Sequence, residues 1–139
     1  MRVVIATDDR KTLNGHFAIS QYFLFYDVTA ESCELVREVC FTQFSEGKAR
    51  VSLKKPFRVD ERIEVIQGSD VILVSAIGGP IADRVMANKV YPLEMNAPES
   101  IDVCLAKLQK HLGGRQPLWL KRIINHDFVS DYFQQEQQH

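Results

Sequence analysis

The run Asn14-Gly15-His16-Phe17 sets an imidazole between a glycine, which frees the backbone, and an aromatic ring able to anchor a loop. Imidazole ligates iron and related metals, and it can also hydrogen-bond the edge of a cluster. A single histidine has no metal-site signature by spacing, so an ordinary loop histidine is the plain alternative. The second feature is Ser75-Ala76-Ile77-Gly78-Gly79-Pro80, which matches neither the GxGxxG fingerprint nor the P-loop pattern. Ahead of a helix, such a turn offers backbone amides where partial positive charge collects. It would suit an anion, either a phosphate or a sulfide cluster carrying an organic acid. The same glycines could equally serve only to bring a helix close to a strand.

Asp8 and Asp9, together with Asp27, Asp70 and Asp83, raise a different chemistry: a metal-dependent phosphoryl-transfer or nuclease-type enzyme, in which acids from several elements converge on divalent ions. No basic groove accompanies them, and solvated turn and cap residues are the simpler reading. Cys33, Cys40 and Cys104 form no CxxC pair. They are expected to be buried structural thiols, and they fall short of the roughly four thiolates that a cluster wrapped by one chain takes. His111 and His126 read as surface or capping residues near helix ends. The basic stretch Lys48 to Arg58 reads as a solvated loop.

Positioning these groups requires a scaffold. Arg2 to Thr7 is a buried strand by composition, Asp8 to Ser20 a polar loop, Tyr22 to Val28 a central strand, and Glu34 to Phe41 a strand with one face partly wet. Thr42 to Arg58 is a long loop. Val59 to Gln67 has helical spacing and stops at Gly68; Val71 to Val74 is a doubly buried parallel strand. A helix follows over Ile81 to Asn88 with Pro80 in its first turn, then an edge strand, Val90 to Met95, marked by Pro92. Ser100 to Leu112 is an amphipathic helix closed by Gly113-Gly114, and Pro117 to Ile124 a short helical turn. The order predicts an α/β fold: a single domain with a ribonuclease-H-like mixed five-stranded sheet flanked by helices, over residues 1–125. Residues 126–139 are a Gln-rich tail. In open sheets of this kind ligands collect outside the carboxyl ends of the strands, where the Asp8 to Ser20 loop and the Ser75 to Pro80 turn both begin.

Bulk properties agree with one core and with few partner classes. The chain has 139 residues, 45% of them hydrophobic, with 17 basic and 18 acidic side chains and a formal net charge of -1. That balance gives no field to gather nucleic acid or an acidic membrane surface. The N-terminal apolar stretch is too short for a signal or a membrane span, and the odd cysteine count suits a reducing compartment, so a cytoplasmic location is expected.

Taken together, VVIATDD, LNGHFAISQYFLFYDV, VILVSAIGGPIADRVMANKV and PLWLKRII resemble the dinitrogenase iron-molybdenum cofactor-binding family, which takes in NifX, NafY and the C-terminal part of some NifB proteins. The His16-Phe17 pair after the first strand is the sharpest element, and the PLWLKRII ending resembles the NifX branch. The resemblance covers about Met1 to Asn125. It implies a non-catalytic carrier of the iron-molybdenum cofactor or its iron-sulfur precursor, held as cargo and passed between nitrogenase cofactor-assembly proteins of scaffold or apo-dinitrogenase type. On that reading His16 is the metal contact and Asn14 and Phe17 shape its loop, while Ser75, Gly78 and Gly79 belong to the pocket wall. Two positions depart from the pattern: Ala18 stands where many relatives have Gly, and Ser75 where several have Cys. The alternatives are the phosphoryl-transfer enzyme using Asp8 and Asp9, and an adaptor binding only protein through the basic loop and the tail. Neither oligomeric state nor the choice between molybdenum and vanadium is legible.

Overall fold

The computed structural model describes residues 1–41, 59–95 and 98–125. The basic stretch from Thr42 to Arg58 and the tail 126–139, with His126, lie outside them. Strands β1 (Arg2–Thr7), β3 (Tyr22–Val28), β4 (Cys33–Cys40), β5 (Val71–Val74) and β6 (Tyr91–Glu94) form a five-stranded sheet in the order β4-β3-β1-β5-β6. β1 runs antiparallel to β3 and parallel to β5; β4 is antiparallel to β3, and β6 is parallel to β5. This is the mixed sheet expected from the sequence. Pro92 sits in β6, which among the described residues pairs with β5 alone; the Tyr91 and Met95 amides donate toward β5, so the nitrogen of Pro92 faces away from it and its missing N–H removes no ladder bond.

Central position explains the unbroken apolar runs. Alternate residues of β1 and β5 face opposite sides, and both sides are covered. On one face Val3, Ile5, Val71, Leu73, Leu24 and Val28 pack with helix α3 (Ile101–Leu112) and helix α4 (Leu118–Asn125), through Cys104, Leu105, Leu108, Leu120 and Ile123. On the other, Val4, Ala6, Ile72, Val74, Phe23 and Phe25 pack with helix α1 (Val59–Val65), the following Ile66, and helix α2 (Gly79–Ala87). Gly68 takes φ 90° after α1, a left-handed stop that needs no Cβ.

Several expectations shift. α2 begins at Gly79, ahead of Ile81, with Pro80 in its first turn, and the last segment is an eight-residue helix rather than a single turn. Residues Cys33 to Glu38 of β4, a terminal strand of the described sheet, are all exposed. Cys33 is therefore not the buried thiol predicted; Cys40 is half-buried and Cys104 is buried. A two-stranded ladder of β2 (Thr12–Leu13) and β7 (Glu99–Ser100) adds to the expected elements, and two-residue strands carry no periodicity by which a sequence could show them.

Candidate functional site

The loop after β1 is tied down at both ends of its course. At its start the buried Thr7 hydroxyl accepts from the amides of Asp9 and Arg10, and the Asn14 side-chain oxygen accepts from the Asp8 amide at 2.9 Å. The Asp9 carboxylate takes the amides of Lys11 and Thr12, which hold its pKa below the usual range. β2 then pairs with β7, and the Ile101 amide donates to the Lys11 carbonyl at 2.9 Å, joining this side of the loop to α3.

The second half of the loop is joined to the sheet. The Gly15 amide donates to the Ala6 carbonyl at 3.0 Å, while the Gly15 carbonyl accepts from the Ser75 amide at 2.9 Å. The Phe17 amide donates to the Ala76 carbonyl at 3.0 Å, so His16 and Ala76 form an isolated parallel bridge. Residues 16–20 close one turn, with the Ser20 amide on the His16 carbonyl at 2.9 Å. Phe17 is fully buried in the α1/α2 core, its ring centroid 5.5 Å from that of Phe23. The neighbouring His16 is exposed. Two adjacent residues of one tight turn thus point to opposite fates: the ring fixes the loop and the imidazole faces outward.

Gly15 is needed for a reason other than unusual dihedrals. Its φ is not positive, but a Cβ there would lie 2.7 Å from the Ala6 carbonyl carbon, the Thr7 nitrogen and the Ser20 Cβ. Gly78 and Gly79 are the reverse case: a Cβ on either would meet nothing within 4 Å, so close strand-helix packing does not account for them. Both are exposed, and Gly78 is the N-cap of α2 with extended dihedrals and, among the described residues, no side-chain cap hydrogen bond. The Ile77 amide, just ahead of the two glycines, donates to the Glu94 carboxylate at 3.3 Å. Ser75 is half-buried next to Gly15. The structure therefore brings His16, Ser75 and the Gly78-Gly79 turn to one edge, with Asn14 and Phe17 holding the loop behind it.

The acids do not converge. Asp8 accepts the Gln21 amide and Asp9 caps its own turn, whereas Asp27 pairs with Arg2 and Asp70 accepts the Arg2 amide at the other end of β1. Asp83 is exposed on α2. Among the described residues no group of three or more His, Cys, Asp or Glu side chains is arranged to hold a metal ion. A cavity of about 210 Å³ lies on the opposite face of the sheet, between β5, β6, α3 and α4, and none of the predicted site residues lines it. Its walls are mainly Val71, Leu73, Leu93, Met95, Leu108 and Trp119. His111, at its rim, meets Trp119 edge to face at 5.9 Å.

Sequence reading missed Arg62 and Glu94. Arg62 had a signal: Val59, Arg62, Ile63 and Ile66 follow the i, i+3, i+4, i+7 spacing of a buried stripe, and Arg62 is 3% exposed. Nothing in the sequence marks Glu94, whose proximity to Ile77 comes from the pairing of β5 with β6.

The architecture defines an α/β domain of known type. The solved structure of PH0822 superposes with a TM-score of 0.56 at 21% sequence identity, covering 84% of this chain and 93% of that one. Residues 1–111 match the family described as dinitrogenase iron-molybdenum cofactor. Protein NifX of Sinorhizobium fredii is 32% identical over 124 residues, covering 89% of this chain and 78% of the relative. Protein NifX of Rhodobacter capsulatus is 26% identical over 140 residues, covering 98% and 87% respectively. The chain belongs to the dinitrogenase iron-molybdenum cofactor family.

Proposed function

We propose that this chain acts in nitrogenase cofactor biosynthesis as a non-catalytic cytoplasmic carrier, binding the iron-molybdenum cofactor or its iron-sulfur precursor as cargo. The observation that carries the reading is the exposed His16, held by its backbone beside Ala76 at the edge where the exposed turn Gly78-Gly79 opens α2. An imidazole supplies one bond to a cluster metal, and helix-end amides favour the cargo's negative charge. One protein ligand with dipoles around it suits a carrier, which must release what it holds; several thiolates would hold the cluster more tightly. Asn14 and Phe17 fix the loop, and Ser75, Gly78 and Gly79 form the facing wall. Family membership supports the choice of cargo, with scaffold or apo-dinitrogenase-type assembly proteins as donor and acceptor. The separation of the acids leaves the phosphoryl-transfer alternative without a metal-binding centre among the described residues.

The test is anaerobic titration of the isolated iron-molybdenum cofactor, and separately of the iron-sulfur precursor, into wild type and His16→Ala, followed by iron analysis and visible absorption. Stoichiometric uptake is expected in wild type, weakened about tenfold or more in His16→Ala, since even ligand-supporting groups account for 10–100-fold in metal affinity. No uptake of either by wild type would overturn the carrier reading.

A further inference from the structure

Arg62 projects from α1 into the underside of the His16 loop. Its Nη1 donates to the Phe17 carbonyl at 3.1 Å and to the Ser20 hydroxyl at 3.2 Å. The guanidinium carbon lies 3.9 Å from the Phe41 ring centroid and 5.5 Å from that of Phe23, two rings that meet edge to face, so the cation rests against an aromatic pair as well as being hydrogen-bonded. The donor and the residues it bonds are buried, with Phe17 0% exposed, Ser20 1% and Arg62 3%, and Phe41 is half-buried over them. Burial lowers the guanidinium pKa to about 10, against the opposing charges of Asp8 and Glu61, and it stays protonated at neutral pH.

We propose that Arg62 is a positioning residue for His16. The backbone bonds described above fix one side of residues 15–17 against β1 and β5. They leave the Phe17 carbonyl and Ser20 hydroxyl turned inward, at the second and last residues of the turn that begins at His16. One guanidinium nitrogen, Nη1, reaches both while the group lies against the Phe41 ring, a combination that a lysine ammonium, a compact and strongly hydrated point charge, reproduces less well. Removing it takes a charged donor from two buried oxygens and loosens the turn from inside, without touching the imidazole. The clamp itself stands apart from the carrier reading; only its consequence for cargo rests on that reading.

The experiment compares wild type, Arg62→Met, Arg62→Lys and Ile66→Val, the last a control that weakens the same core without disturbing the loop. Residue-resolved amide exchange in the full chain is read at Phe17 and Ser20 against the amides of β1 and β5. In Arg62→Met the ratio is expected to rise about tenfold, the equivalent of one charged hydrogen bond, and the His16 ring resonances to shift. Arg62→Lys should recover part of the protection, and Ile66→Val should leave the ratio unchanged. A uniform rise in Arg62→Met, matching Ile66→Val, would overturn the proposal. The second arm titrates the isolated iron-molybdenum cofactor anaerobically into the folded variants. An affinity loss of about tenfold in Arg62→Met but not in Ile66→Val is expected. Unchanged affinity in Arg62→Met, with wild type binding, would overturn the positioning role. If wild type takes up no cofactor, the carrier reading fails alone, and the exchange ratio and His16 resonances still decide the clamp.

Discussion

Cys104 and Cys33 show how far one residue type can diverge within a small domain. Cys104 is buried and donates its thiol hydrogen to Glu99 at 3.2 Å; burial first, then the Glu99 carboxylate, pushes its pKa up to about 12. Glu99 itself is held below the ordinary range chiefly by Lys107 at 2.5 Å. Cys33 is exposed on the edge strand, so at pH 8 iodoacetamide should label Cys33 well before Cys104, as mass spectrometry of partial digests would show. Because the folded pKa of Cys104 lies above its unfolded value, its contribution to stability is complete below about pH 9 and is lost as pH rises toward about 12. Cys104→Ala should accordingly flatten the alkaline decline in urea midpoint between these limits.

At the scale of the element, the candidate site is a loop closed onto strand ends, and glycine placement decides whether the closure is possible. Gly15→Ala would drive a methyl group into two backbone atoms of β1, which cannot yield as a flexible side chain can. The expected cost is about 1–3 kcal/mol by urea unfolding, the usual range for overpacking. Gly79→Ala meets open space and should stay within about 0.5 kcal/mol of wild type, as surface substitutions do. A reversed order of these two effects would show that the loop does not rest on β1 as described.

For the molecule as a whole, both faces of the central strands β1 and β5 are covered by described helices. α4 completes one of them with Leu120 and Ile123, each 0% exposed. We propose that residues 1–125 form the folding unit. Truncation after Asn125 should leave a cooperative transition with Tm within about 4 °C of the full chain, corresponding to roughly 1 kcal/mol in a domain of this size. A larger drop would assign the tail to the core. No described helix is long and apolar enough to cross a membrane.

Composition and periodicity alone determined the five main strands, the order of helices between them and the two loops that leave the carboxyl ends of β1 and β5. Continuous apolar runs such as VILV and VVIAT can only be buried on both sides, and Gly68 stops a helix by local dihedral preference. The His16-Phe17 pair was legible as chemistry next to an anchor. Three things were decided by tertiary structure, because each depends on residues far apart in sequence. The β2–β7 ladder joins Thr12 and Leu13 to Ser100 and Glu99. Gly15 is constrained by crossing β1 and by Ser20, not by its own dihedrals. Arg62 gains its role only where α1 packs beneath the His16 loop, since a charged side chain in an apolar stripe acquires partners from the surface it is buried against.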